Sequence, residues 1–164
     1  MMGLDMYLSA EIYLWNFREE DLKIAKGIED ILGDLPATHT WRESKIRSVT
    51  LEVMYWRKVN AIHRWFVDKV QEGFDDCKQY PVSQEDLQNL VDTCQEVIDL
   101  YESDDPDKAR KIEIKLPTSS GFFFGSDEYD EYYINELKRT VQELTVFLNH
   151  PIIDRCDFYY QSSW

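Results

Sequence analysis

The residues from Leu4 to Trp15 alternate without a break, with Leu4, Met6, Leu8, Ala10, Ile12 and Leu14 on one side and Asp5, Tyr7, Ser9, Glu11, Tyr13 and Trp15 on the other. A period of two sends successive side chains to opposite faces, which is the behaviour of an extended strand. The chain therefore has to build a sheet with one apolar face, and other elements have to cover that face. The second face is aromatic as much as charged, which leaves room for partial cover there too.

Helical spacing takes over beyond this strand. Leu22, Ala25, Ile28, Ile31 and Leu32 predict a helix over 18–32, ended by Gly33 and Pro36. Residues 37–45, with Thr38, His39 and Thr40, read as a loop. Ile46, Val49, Leu51 and Val53 suggest a short strand over 46–53 whose phase slips between 46 and 49, with a bulge or a direct run into the next helix. Tyr55, Val59, Ile62, Phe66 and Val70 predict a helix over 55–71. Ser83 and Asp86 form an approximate capping box for a helix over 83–101, faced by Leu87, Leu90, Val91, Cys94, Val97, Ile98 and Tyr101. Ile112, Ile114 and Leu116 read as an edge strand or extended arm, and 118–126 as a loop between Gly121 and Gly125. A last helix, capped by Ser126 or Asp127, buries Tyr129, Tyr133, Leu137, Val141, Leu144 and Leu148. The tail, 156–164, is rich in strand formers and is expected to pair with the N-terminal strand. The fold class is α+β: a small antiparallel sheet of three or four strands, covered on one face by about four helices, in a single domain over 1–164.

Composition agrees with a packed core, since 43% of residues are hydrophobic and 14% aromatic. No apolar run approaches a membrane span, and the N-terminal residues lack the pattern of a signal peptide, so the expectation is a cytoplasmic protein. Cys77, Cys94 and Cys156 form no CxxC pair and are expected to be reduced thiols. The formal net charge of −14 argues against direct nucleic-acid binding, which needs Lys and Arg for phosphates, and suits a basic protein partner or simple solubility. That charge is uneven: residues 71–107 hold twelve acids and one base, whereas 40–70 hold seven bases and three acids.

Candidate sites are few. If 55–71 is one helix, Trp56, Asn60 and His63 share a side, with Arg57 and Arg64 beside them; that group suits an anionic or planar ligand, or merely a solvated helix edge. Asp92, Glu96 and Asp99, with Glu102, Asp104 and Asp105 in the following turn, form an acidic surface suited to a partner; Phe123 is an anchor if exposed and a core plug if not. A nucleophile built from Cys77, His63, Asp75 and Asp76 is disfavoured, because neighbouring carboxylates oppose a thiolate. DDPDK (104–108) lacks the spacing of a calcium loop, and Gly121–Gly125 lacks the GK[ST] ending of a phosphate loop. No catalytic residue, metal ligand or cofactor is indicated.

GLDMYL (3–8), YWRKVNAIHRWFV (55–67), SGFFFGSDEYDEYY (120–133) and DFYYQSSW (157–164) together resemble a family of small, uncharacterised bacteriophage and prophage proteins. The resemblance implies an accessory protein acting in a bacterial cytoplasm, and carries no reaction and no catalytic residues with it. Three functions follow as expectations. One is a non-enzymatic binder or inhibitor of a host factor, such as a defence or nucleic-acid-processing protein, in which a phosphate-like acidic track is opposed by the bases of 42–69. The others are a small-molecule or nucleotide-binding domain built on the Trp56–His63 edge, and a scaffolding protein without a discrete site.

Overall fold

A computed structural model describes residues 3–33, 44–121 and 123–164. Met1, Met2, Phe122 and the predicted loop around Thr38, His39 and Thr40 lie outside the described residues. Along the chain run β1 (Asp5–Tyr13), α1 (Glu19–Leu32), β2 (Ser48–Arg57), α2 (Asn60–Lys69), β3 (Tyr80–Val82), α3 (Gln84–Glu102), α4 (Lys108–Lys115), α5 (Glu131–Leu148), a 3₁₀ turn (Pro151–Arg155) and β4 (Cys156–Ser163). The fold is α+β: among the described residues, one antiparallel sheet of four strands in the order β2-β1-β4-β3, with five helices.

The alternation at the N-terminus puts β1 where it was expected. Met6, Leu8, Ala10 and Ile12 are buried on one face, and the intervening residues lie on the other. The tail pairs with this strand: β4 runs antiparallel to β1 from Asp5↔Ser163 to Ile12↔Cys156, so Phe158, Tyr160 and Ser162 join the buried face. β3 has only three residues and is held by β4, Val82 opposite Phe158 and Tyr80 opposite Tyr160.

Three corrections concern the middle of the chain. The predicted helix over 55–71 begins late, because Tyr55, Trp56 and Arg57 belong to β2. A bulge between Leu8 and Ser9 pairs Leu8 with Met54 but Ser9 with Glu52, leaving Val53 as the extra residue. That insertion flips the strand's phase, so Val49 and Leu51 face inward before it and Met54 and Trp56 after it. Lys58, at φ 58°, then turns the chain out of the strand, and α2 starts only at Asn60. The second correction is 108–116, which forms α4 rather than an edge strand: Ile112 and Leu116 are buried one turn apart, and Ile114 is 71% exposed. The third is the cap of α5, which is Asp130, accepting from Tyr133 N at 2.9 Å. The expected capping box of α3 is present, with Ser83 Oγ accepting from Asp86 N and Asp86 Oδ2 from Ser83 N, both at 3.0 Å.

α2, α3 and α5 cover the inward face. Leu87, Leu90, Cys94, Val97, Leu137 and Leu144 form one continuous core with Met6, Leu8, Trp56, Ile62, Phe66 and Tyr160. Phe66 stacks on Tyr160 with ring centroids 3.9 Å apart and planes 9° from parallel. α1 covers a smaller cluster of Ile12, Leu14 and Ala25. Asp21, buried in its first turn, accepts from Trp15 N at 2.9 Å and pairs with Arg155, which ties α1 to both ends of the chain.

Candidate functional site

The residues of the expected ligand edge are all built into the structure, but they share no helix face and no common surface. Trp56 on β2 is wholly buried, and its Nε1 donates to Thr140 Oγ1 on α5 at 2.8 Å. Arg57 lies on the opposite face of the same strand, 3.9 Å from Asp5. Asn60 is buried and fastens a loop: its amide nitrogen donates to Phe124 O (3.1 Å) and Ser126 O (2.7 Å), and its Oδ1 accepts from Ser119 N (3.0 Å). Arg64 donates to Thr118 O at 3.2 Å and pairs with Asp68. The hollow beside Asn60 holds about 20 Å³, room for one water and no metabolite.

The loop held by Asn60 is the phenylalanine segment. Phe123 is half-buried and its carbonyl accepts from Leu4 N at 3.2 Å, while Phe124 packs edge-on to His63 at 5.3 Å. Gly125 has φ 91°, and a Cβ there would meet the Lys58 carbonyl oxygen at 2.9 Å. The glycine thus lets the loop close onto the β2–α2 elbow.

His63 is the one predicted residue that gathers a new constellation. Its Nδ1 lies 2.8 Å from Tyr160 Oη and its Nε2 3.0 Å from Asp75 Oδ2; Trp164 Nε1 donates to Asp75 Oδ1 at 3.0 Å. Burial, and then the neighbouring Asp75 and Cys77, push the Tyr160 phenol well above its usual range, so it stays an O–H donor. In the tautomer with Tyr160 donating to Nδ1, Nε2 carries the proton given to Asp75. With the imidazole 1% exposed and both nitrogens engaged, this Tyr–His–Asp chain fastens α2, β4, the loop after α2 and the C-terminal residue together. Cys77 sits nearby in a left-handed turn at φ 57°, and no hydrogen bond joins its thiol to His63 among the described residues. Periodicity showed that His63 lay on a helix, but the partnership with Asp75 and Tyr160 arises only when β4 closes the sheet.

The acidic helix is less free than its sequence suggests. Glu96 pairs with Lys115, Glu102 with Lys138 and Asp105 with Lys111, so α4 and α5 answer half of the six acids. Lys108 also caps the end of α3, its Nζ donating to Tyr101 O and Ser103 O at 2.8 Å each. Asp92, Asp99 and Asp104 stay exposed, and Asp92 and Glu96 border a cleft of about 410 Å³ whose walls include Trp65, Lys69 and Lys115.

A surface that the sequence does not assign is the outward face of the sheet. It carries Arg57, Asp5 and Ser163 in one row across the strands, then Tyr55, Tyr7 and Gln161, then Glu52, Ser9 and Tyr159, then Thr50, Glu11 and Asp157. Tyr7 is 39% exposed, and its ring centroid lies 5.3 Å from that of Tyr55. Beyond the end of β1, Tyr13, Trp15 and Phe17 continue as an aromatic run with centroids 4.7 and 5.3 Å apart, and Phe17 is 73% exposed.

Neither a family model, nor a curated protein, nor a solved structure matches the chain. Among the described residues there is no cluster of three or more potential metal ligands, and no helix is long and apolar enough to cross a membrane.

Proposed function

We propose that the chain is a non-enzymatic binding protein that occupies a basic surface on a host protein, in the manner of a phage or prophage accessory protein in a bacterial cytoplasm. The observation that carries this reading is the distribution of charge. Nine lysines and arginines are held in ion pairs among the described residues, so each neutralises a carboxylate within the chain and the surplus of −14 stays on the surface. A field of that sign steers a basic partner towards the protein and repels nucleic acid and other acidic surfaces. The occupied, buried state of His63 supports the non-enzymatic part, because no imidazole nitrogen is left to act on a substrate.

The test is affinity capture from bacterial lysate, followed by mass spectrometry and purification of the complex. The expected result is one stoichiometric partner with a basic surface, whose affinity falls as salt rises from 50 to 500 mM. A monomer without a partner whose melting temperature rises with a nucleotide or metabolite would replace this reading with ligand binding.

A further inference from the structure

We infer that the outward face of the sheet is the docking surface, and that it takes an arginine-rich segment of the partner protein; this rests on the binding function proposed above. Tyr7, Glu52, Tyr55, Asp157 and Gln161 on this face are exposed and Asp5, Ser9, Glu11 and Tyr159 half-buried, and the face interleaves two kinds of group. Tyr7, Tyr55 and Tyr159 offer rings, while Glu11, Glu52 and Asp157 offer carboxylates; Asp5 is already held by Arg57 and by the Tyr55 hydroxyl. Neighbouring strands stand about 4.8 Å apart, and like-facing residues along a strand about 6.8 Å, so each tyrosine has a carboxylate within the reach of one guanidinium.

The charges select the occupant. Glu11 and Asp157 are direct cross-strand partners, and Glu52 is the diagonal neighbour of Glu11. Like charges set opposite each other in a sheet are destabilising, and among the described residues none of these three is in an ion pair. A cation arriving from outside relieves that repulsion, whereas a second copy of this chain would double it. The face already holds one example of the chemistry, the Arg57 guanidinium beside Asp5.

Arginine rather than lysine follows from geometry. A planar guanidinium lies over a tyrosine ring and still forks onto a carboxylate, which an ammonium group does not. Three strands of eight to ten residues, β2, β1 and β4, span about 14 by 30 Å, roughly 400 Å². That is about half of the ~800 Å² per partner of a standard interface, and the exposed Trp15 and Phe17 extend it at one end.

The experiment measures fluorescence anisotropy with two labelled peptides, one with six arginines alternating with serine and one with six lysines in their place, at 50 mM salt. The intact chain is expected to bind the arginine peptide about tenfold more tightly than the lysine peptide, from several exposed cation–π contacts acting together. The pair Glu11→Gln and Asp157→Asn should weaken the arginine peptide about tenfold while raising the melting temperature of the free protein. Tyr7→Ala with Tyr55→Ala should bring the two peptides to equal affinity. The triple reversal Asp92→Lys, Glu96→Lys and Asp99→Lys on α3 serves as the control and should leave the preference for arginine intact. Full loss of binding in that control, with no effect of the sheet variants, overturns this docking surface but keeps the proposed function. Equal affinity for both peptides in the intact chain, or dimerisation through this face in sedimentation, also overturns it. Failure of both peptides, together with capture of no basic partner, overturns the proposed function as well.

Discussion

Replacing Asn60 separates loss of hydrogen bonds from a change of charge at a single buried position. The side chain is 3% exposed, and three backbone groups of the 118–126 loop depend on it. Asn60→Ala removes all three bonds, and at about 1 kcal/mol net each the protein should lose about 3 kcal/mol. For a chain of this size, that lowers the melting temperature by about 6–12 °C. Asn60→Asp keeps the oxygen that accepts from Ser119 N but turns a second oxygen towards the carbonyls of Phe124 and Ser126. A carboxylate facing two carbonyl oxygens favours its protonated form, so the folded-state pKa of the introduced Asp must rise above the unfolded ~3.9. The folded protein then binds more protons than the unfolded one across that window, and stability falls as pH rises through it. Urea titrations of wild type, Asn60→Ala and Asn60→Asp at pH 4 and pH 7 supply the numbers. Asn60→Asp should be the least stable of the three at pH 7 and should close most of its gap to wild type at pH 4. If Asn60→Asp matches or exceeds Asn60→Ala at pH 7, or if its gap to wild type is the same at both pH values, the assigned amide orientation is wrong.

Tyr160→Phe removes the donor to His63 Nδ1 in the core, and its urea midpoint should report a loss of about 1–2 kcal/mol. An unchanged midpoint would show that the bond contributes nothing. Gly125→Ala should destabilise by about 1–3 kcal/mol because of its left-handed backbone and the Lys58 contact. Gly27→Ala, mid-helix in α1 with open space around its Cβ, should instead stabilise by about 1 kcal/mol in the same urea assay. Burial pushes the Cys94 thiol up to about 12, so mass-spectrometric mapping of iodoacetamide labelling at pH 8 should find Cys94 modified last, at the rate of global unfolding. Early modification of Cys94 would contradict its place in the core.

The parts of the fold that were legible are those where one period dominates. Alternation over 4–15 defined β1, and the 3.6-residue spacing from Leu87 to Ile98 defined α3. β2 escaped because Val53 is inserted at the bulge, so the inward residues Met54 and Trp56 are out of step with Val49 and Leu51 and imitate the start of a helix. α4 was misread because Ile112 and Leu116 satisfy both periods, and only the exposure of Ile114 separates them. β3 carries no signal of its own, since three residues become a strand only through β4. The candidate site divides the same way. The local chain showed the residue types around His63, but Asp75 and Tyr160 reach the imidazole through tertiary closure. The sheet face was legible as aromatic, although its openness depended on which side the helices chose.

The pairing of β1 with β4 also bears on synthesis. The two strands lie side by side at the centre of the sheet, yet their partners are separated by about 150 positions, as with Ser9 and Tyr159. A ribosome therefore releases β1 and β2 long before the strand that flanks β1 on its other side exists, and one edge of β1 stays unpaired until about 150 further residues have been made. At about 5–20 residues per second that interval lasts roughly 7–30 s. The nascent chain must spend it with one edge of a central strand unpaired, which makes the emerging polypeptide, rather than the finished protein, the form most dependent on chaperones.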